Sequence, residues 1–210
     1  MIKKNRKTLI ITTIVTLLPI LAGLILWNRL PAEIATHFNA SGKADGWSSK
    51  EFTVFGMPFI LLVCQWISVA ATKADPKNEG ISEKIMTLIL WIIPSVSVIL
   101  FFCLYTTALN YPINITRIIM IFCGLIYIII GNYMPKMKQS YTLGIKLPWT
   151  LNSEENWNRT HRLGGWLFVF GGVATMAIAF TSQPLLFLAV MIAITMIPAI
   201  YSYVLYKKGI

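Results

Sequence analysis

The stretch GNYMPKMKQSYTLGIKLPWTLNSEENWNRTHRLGG, residues 131–165, lies between two long apolar segments yet gathers Lys136, Lys138, Lys146, Arg159 and Arg162 with His161, Trp149 and Trp157. A polar segment so placed reads as a loop that turns the chain round at one face of a bilayer, since about 20 consecutive apolar residues suffice for a helix to cross the hydrocarbon core. Outward from it the same alternation repeats. Apolar runs cover roughly Thr8–Trp27, Thr53–Thr72, Ile85–Leu109, Ile115–Tyr133, Gly165–Thr181 and Leu185–Tyr206. Only helices or closed barrels satisfy the backbone in lipid, and none of these runs alternates as a strand does. The fold expected is an all-α integral membrane protein with six transmembrane helices, forming one membrane domain.

Composition agrees: 56% of residues are hydrophobic, 12% are charged, and the mean hydropathy is +0.68. Lys3, Lys4, Arg6 and Lys7 before the first run resemble the start of a secretory leader. The apolar core exceeds the ~7–15 residues of such a leader and no small-residue cleavage site follows, which predicts a retained span. Cys64, Cys103 and Cys123 sit singly in apolar runs without ligand spacing, so small packing residues are expected rather than disulfides or a metal site. The net charge of +10 is dealt out between apolar runs and forms no single patch for nucleic acid.

The placement of lysine and arginine orients the chain. With the amino terminus in the cytoplasm, the inner side holds the four N-terminal basics, Lys73, Lys77, Lys84, the five basics of the 131–165 stretch, Lys207 and Lys208. The outer side holds Arg29, Lys43, Lys50 and Arg117. Both termini are therefore expected in the cytoplasm. The spans carry no Asp or Glu, which counts against a proton-coupled pump. Gln65 and Asn132 are the polar groups left within them, and Gln65 reads best as an interhelical hydrogen bond. Gly171, Ala174 and Ala177 present a small face on the fifth span.

Residues 28–52, between the first two runs, are too polar to insert and hold the turn formers Asn39, Ser41, Gly42, Asp45 and Gly46. His37 with Asp45 and Glu33 has no helical ligand spacing, so a hydrogen-bonded structural histidine is the better reading than a metal or acid–base site.

Two segments are recognisable. Leu30-Pro31, Ile34, His37-Phe38-Asn39, Gly42, Asp45 and Trp47-Ser48-Ser49-Lys50 resemble the extracytoplasmic motif of the bacterial domain of unknown function DUF1648, with Ala35 where a proline is usual. Gly131-Asn132-Tyr133-Met134-Pro135-Lys136, Tyr141, Gly144-Ile145-Lys146, Pro148-Trp149-Thr150-Leu151 and Trp157, Thr160-His161-Arg162, Gly164-Gly165 resemble the SdpI family. The resemblance implies a DUF1648-like region over 1–84 and an SdpI-like region over 85–210. It also implies a multi-pass protein of the bacterial cell membrane, giving immunity to a secreted peptide toxin and capturing a small DNA-binding repressor. On that basis His37, Asn39, Asp45 and Trp47 are toxin-side candidates. Trp149, Trp157, Arg159, Thr160, His161 and Arg162 are candidates for a cytoplasmic partner.

Within the 131–165 stretch, Pro135 ends the fourth helix and Pro148 starts a new element. Asn152 or Ser153 caps a short cytoplasmic amphipathic helix before the fifth span, with Glu154 and Glu155 at its positive end. Glu155 and Arg159 are spaced as an i,i+4 pair, and Trp157 and His161 share a face. Anchoring to anionic lipid and partner recognition both fit such a helix. His37 and His161 fall on opposite faces of the membrane, and neither G-x-S-x-G nor HExxH occurs, so no enzyme, catalytic residue or cofactor is expected. A small-solute or lipid-handling membrane protein is the alternative to toxin immunity.

Overall fold

The computed structural model describes residues 2–39, 41–77, 81–181 and 183–210. Its helices are α1 (Ile2–Ile25), α2 (Met57–Ala74, entered through a π-helical turn at Phe52–Gly56), α3 (Glu83–Ala108), α4 (Ile115–Tyr133), α5 (Pro148–Asn152), α6 (Glu154–Ile178) and α7 (Pro184–Lys207). Among the described residues, five helical segments are long and apolar enough to cross a membrane: Asn5–Ile25, Phe52–Ala74, Glu83–Ala108, Ile115–Lys136 and Leu185–Lys207. The run Gly165–Thr181 is not among them, because it forms the second part of α6, whose first part is EENWNRTHRL.

One local expectation is corrected. The amphipathic helix is no separate element: residues 154–163 continue without interruption through Gly164 and Gly165 into the apolar part of α6. Those glycines do not break the helix, because close packing against Met134, Pro135 and Gly131 uses their missing side chains. The helical class holds, and the structure adds one small element to it. Residues 28–52 contain an antiparallel hairpin, β1 (Glu33–Phe38) and β2 (Ala44–Ser49), paired Glu33 with Ser49, Ala35 with Trp47 and Phe38 with Ala44. Asn39 makes the turn: its side-chain oxygen accepts from the Ser41 and Lys43 amides, and Gly42 takes the positive φ of +76° that the reversal requires.

The chain forms two compact units, Met1–Ala70 with Met86–Thr116, and Ala71–Ile85 with Arg117–Ile210. Most of α3 falls with α1 and α2. In the first unit Ile34 of β1 is buried among Leu30, Val54, Phe101, Leu104 and Tyr105, which seats the hairpin on the helices. Farther along, Gln65 is buried between two threonines of α1: Thr16 Oγ1 donates to its Oε1 (2.6 Å), and its Nε2 donates to Thr12 Oγ1 (2.9 Å). Ser97 of α3 adds a bond to the Thr16 carbonyl at 2.9 Å. These bonds tie three helices together where the apolar environment makes an unpaired amide costly. Asn132, by contrast, is exposed.

In the second unit α4 and α6 run antiparallel, and two glycines on each meet in pairs, Gly124 with Gly172 and Gly131 with Gly165. A Cβ on Gly172 would lie 2.5 Å from the Gly124 carbonyl oxygen, and one on Gly131 would lie 2.7 Å from that of Gly165. Gly171 faces Ile194 of α7. The tightest approach thus uses Gly165 and Gly172, while Ala174 is half-buried and Ala177 exposed. Of the cysteines, Cys103 is buried, Cys123 partly so, and Cys64 exposed on α2, all with free thiols.

Candidate functional site

The 131–165 stretch folds onto α6. After α4 one 3-10 turn, Met134–Lys136, carries Pro135, and the chain then runs irregularly to Pro148, which opens α5. Ser153, one of the two expected caps, starts α6: its side chain accepts from the Asn156 amide at 3.1 Å, and Glu154 and Glu155 occupy the first turn.

Trp157 and His161, one turn apart, stack with ring centroids 3.9 Å apart, and both are buried. Trp157 Nε1 donates to the Met137 carbonyl (2.7 Å). His161 Nδ1 lies 2.9 Å from the Trp157 carbonyl, and its Nε2 accepts from the Ile145 amide at 3.0 Å. Together these bonds define the neutral tautomer with the proton on Nδ1. Burial is the larger influence and holds the imidazole down to about pKa 4, while the bond to Trp157 pulls the other way. Gly144 crosses over this pair at φ +93°, where a Cβ would meet the Trp157 ring at 2.9 Å.

Asn156 and Thr160 are buried on the same side, where Asn156 donates to the Ser202 carbonyl of α7 (3.0 Å) and accepts from Thr160 Oγ1 (3.1 Å). Trp149 Nε1 donates to Ser202 Oγ, and its ring packs against Tyr203 and Tyr206, centroids 5.4 and 5.7 Å away. The opposite face of α6 is solvated and presents Glu155, Asn158, Arg159 and Arg162. Arg159 pairs with Glu155 at 2.5 Å, both well exposed, so the pair adds little stability. Four of the six inner candidates, Trp149, Trp157, Thr160 and His161, therefore make contacts within the protein, while Arg159 and Arg162 face outward.

Sequence reading missed Asp75. It follows α2, is 5% exposed, and accepts on one carboxylate oxygen from Ser140 Oγ (2.5 Å), Thr142 Oγ1 (2.9 Å) and the Thr142 amide (3.1 Å). The other oxygen accepts from the Lys77 amide at 2.9 Å. Burial works to raise its pKa, yet these donors together bring it below the ordinary carboxylate value. Lys77 Nζ reaches Gln139 Oε1 (3.0 Å) and the Leu151 carbonyl (3.3 Å). The turn-forming Asp75-Pro76 pair was the one available signal.

Of the outer candidates, Asn39 builds the hairpin turn. His37 Nδ1 lies 2.5 Å from Asp45 Oδ1, both exposed, and Trp47 is 57% exposed opposite Ala35. Among the described residues, no three His, Cys, Asp or Glu side chains group where a metal ion would be held.

The long apolar helices, the seated hairpin and the polar loop folded onto α6 define a multi-pass membrane protein. Residues 14–62 match the domain of unknown function DUF1648, and residues 136–202 match the SdpI/YfhL protein family. The immunity protein SdpI of Bacillus subtilis (strain 168) is 28% identical over 213 residues, covering 98% of this chain and 97% of that protein. No solved structure matches. The chain thus resembles the SdpI/YfhL family over residues 136–202 and the immunity protein SdpI along nearly its whole length.

Proposed function

We propose that this protein is a membrane immunity protein that shields its cell from a secreted peptide toxin by binding it, and that it reports to the cytoplasm by capturing a small repressor. The observation that carries this reading is the similarity to the immunity protein SdpI, which runs nearly end to end in both chains. Binding is the reading taken over toxin destruction, since the hairpin presents Trp47 and the His37–Asp45 pair as exposed contact groups. The test is survival of a toxin-sensitive Gram-positive strain expressing the chain, with the mass of the recovered toxin as a second readout. Protection with unchanged toxin mass supports the reading, and loss of protection or a modified toxin defeats it.

The topology proposed is six spans with both termini in the cytoplasm and α6 as the fifth. α6 lies against α4 and α7, both long apolar helices, and a helix with protein on two sides needs less apolar surface of its own. Asp75 and Lys77 bond to residues 139–151, so the connection after α2 and the 131–165 loop share one end of the second unit. Alternating spans require that arrangement. On intact cells, an impermeant thiol reagent is expected to label Ser41→Cys and spare Ser153→Cys, each introduced into a chain lacking its native cysteines. Labelling in the reverse pattern would invert the orientation.

Arg159 and Arg162 are the residues proposed to meet the repressor. Lipid anchoring is satisfied by any point charge at about 1 kcal/mol each. Bidentate or stacked recognition depends on the planar guanidinium. Arg159→Lys combined with Arg162→Lys is therefore expected to keep membrane abundance while reducing reporter output about tenfold, the effect of one lost charge-assisted bond. Normal output at normal abundance would leave anchoring as their role.

A further inference from the structure

We infer that Asp75 is the positioning residue of the inner recognition surface, a carboxylate clasp by which the connection after α2 sets the shape of the 137–147 loop against α6. The recognition role of that surface rests on the function proposed above. The clasp itself rests on geometry.

One oxygen of Asp75 receives three donors from two loop residues, Ser140 and Thr142, and Ser140 Oγ in turn accepts from the Leu143 amide at 3.0 Å. The next residues of the loop are Gly144, which covers Trp157 and His161, and Ile145, whose amide donates to His161. On its near side the loop is fixed at Met137 by Trp157 and at Gln139, whose side chain donates to the Thr150 carbonyl at 2.9 Å and accepts from Lys77. Two residues from the connection after α2 thus hold the middle of a loop that is otherwise irregular, while Trp157 and His161 hold its two sides. The clasp requires a carboxylate. Three donors converging on one oxygen, with a fourth on the other, leave no place for an amide NH2: in either orientation an asparagine side chain would set its NH2 against a backbone N–H, that of Thr142 or that of Lys77. Asn at position 75 is nearly isosteric, so its effect reports on the acceptor and charge rather than on volume.

The surface that depends on this loop is the start of α6 with its outward Asn158, Arg159 and Arg162. The loop packs on the opposite side of that helix, so the clasp acts on recognition by fixing the backing of α6, without contact to the partner.

The experiment compares wild type with Asp75→Asn and the milder Thr142→Val and Ser140→Ala, in sheared membranes that expose both faces to trypsin. Lys138 and Lys146 supply exposed cleavage sites within the loop. Cleavage there is expected to quicken about tenfold in Asp75→Asn, and less in the two milder variants, since proteolysis follows the population of locally opened chain. Membrane abundance and survival under toxin should stay near wild type, whereas reporter output falls as in the Arg159→Lys, Arg162→Lys double variant. A general loss of stability would instead lower abundance and survival with output. Unchanged cleavage in all three variants overturns the clasp, whether or not the chain confers immunity. Faster cleavage with full reporter output, in a background where the arginine variants lose it, overturns the positioning of recognition.

Discussion

Gly172→Leu is expected to remove the folded protein from the membrane almost completely. Lipid tails are as apolar as leucine, so helices associate there through close packing rather than through a hydrophobic drive. α6 achieves that packing by laying Gly165 and Gly172 on Gly131 and Gly124 of α4. Any Cβ at 172 would sit 2.5 Å from the Gly124 carbonyl oxygen and 2.8 Å from Ile128 Cγ1. The first obstacle is backbone and cannot swing aside. Gly172→Ala should already cost about 2 kcal/mol, within the usual range for overpacking, and leave a protein that melts earlier. A leucine forces the two helices apart and forfeits the neighbouring Gly131–Gly165 approach as well. Val173→Leu, one residue on and exposed, adds bulk without this consequence and serves as the control. The measurements are the monodisperse peak of a fluorescent fusion in detergent and its thermal midpoint. A Gly172→Leu protein as abundant and stable as the control would show that the glycine pairs do not hold α6 in place.

Much of this fold was legible because apolar length is a direct physical requirement of the bilayer: each run became helical, although the helix holding Gly165–Thr181 begins well before it, at Glu154, and the first helix begins at Ile2. The hairpin was not legible, since β2 reads Ala-Asp-Gly-Trp-Ser-Ser, without the β-branched residues that favour strands. Its existence depends on Asn39 closing the turn and on Ile34 finding a pocket among Leu30, Val54 and the α3 residues Phe101, Leu104 and Tyr105. On α6 the spacing put Trp157 and His161 on one face correctly. It left open which face turns inward, because acidic, basic and aromatic residues follow one another without a clear apolar stripe. Asp75 was out of reach for another reason: its partners lie 65 and 67 positions along the chain, and no local pattern encodes them.

The stability of the purified protein should fall on acidification because of His161. Its folded pKa is near 4 and the ordinary histidine value is 6.5, so between those values the unfolded chain binds the proton that the folded chain refuses. Stability attributable to this group is therefore complete above about pH 6.5 and is lost as pH falls towards 4. From pH 7.5 to pH 5 the loss is about 2 kcal/mol. The structural cause is specific. Nε2 already accepts the Ile145 amide, so a proton there would set two donors against each other in a buried site stacked on Trp157. His161→Phe keeps an aromatic ring for that stack and cannot titrate, but it leaves the Ile145 amide without its acceptor. At pH 7.5 the variant should be less stable than wild type by about 1–3 kcal/mol, the cost of one buried unpaired donor. Between pH 7.5 and 5 its midpoint should then decline less than that of wild type. The rest of the chain is the same in both proteins and cancels in the comparison. Parallel decline of the two melting curves would mean that His161 takes up its proton as readily in the fold as in the unfolded chain, and the loop would then need another explanation for its attachment to α6.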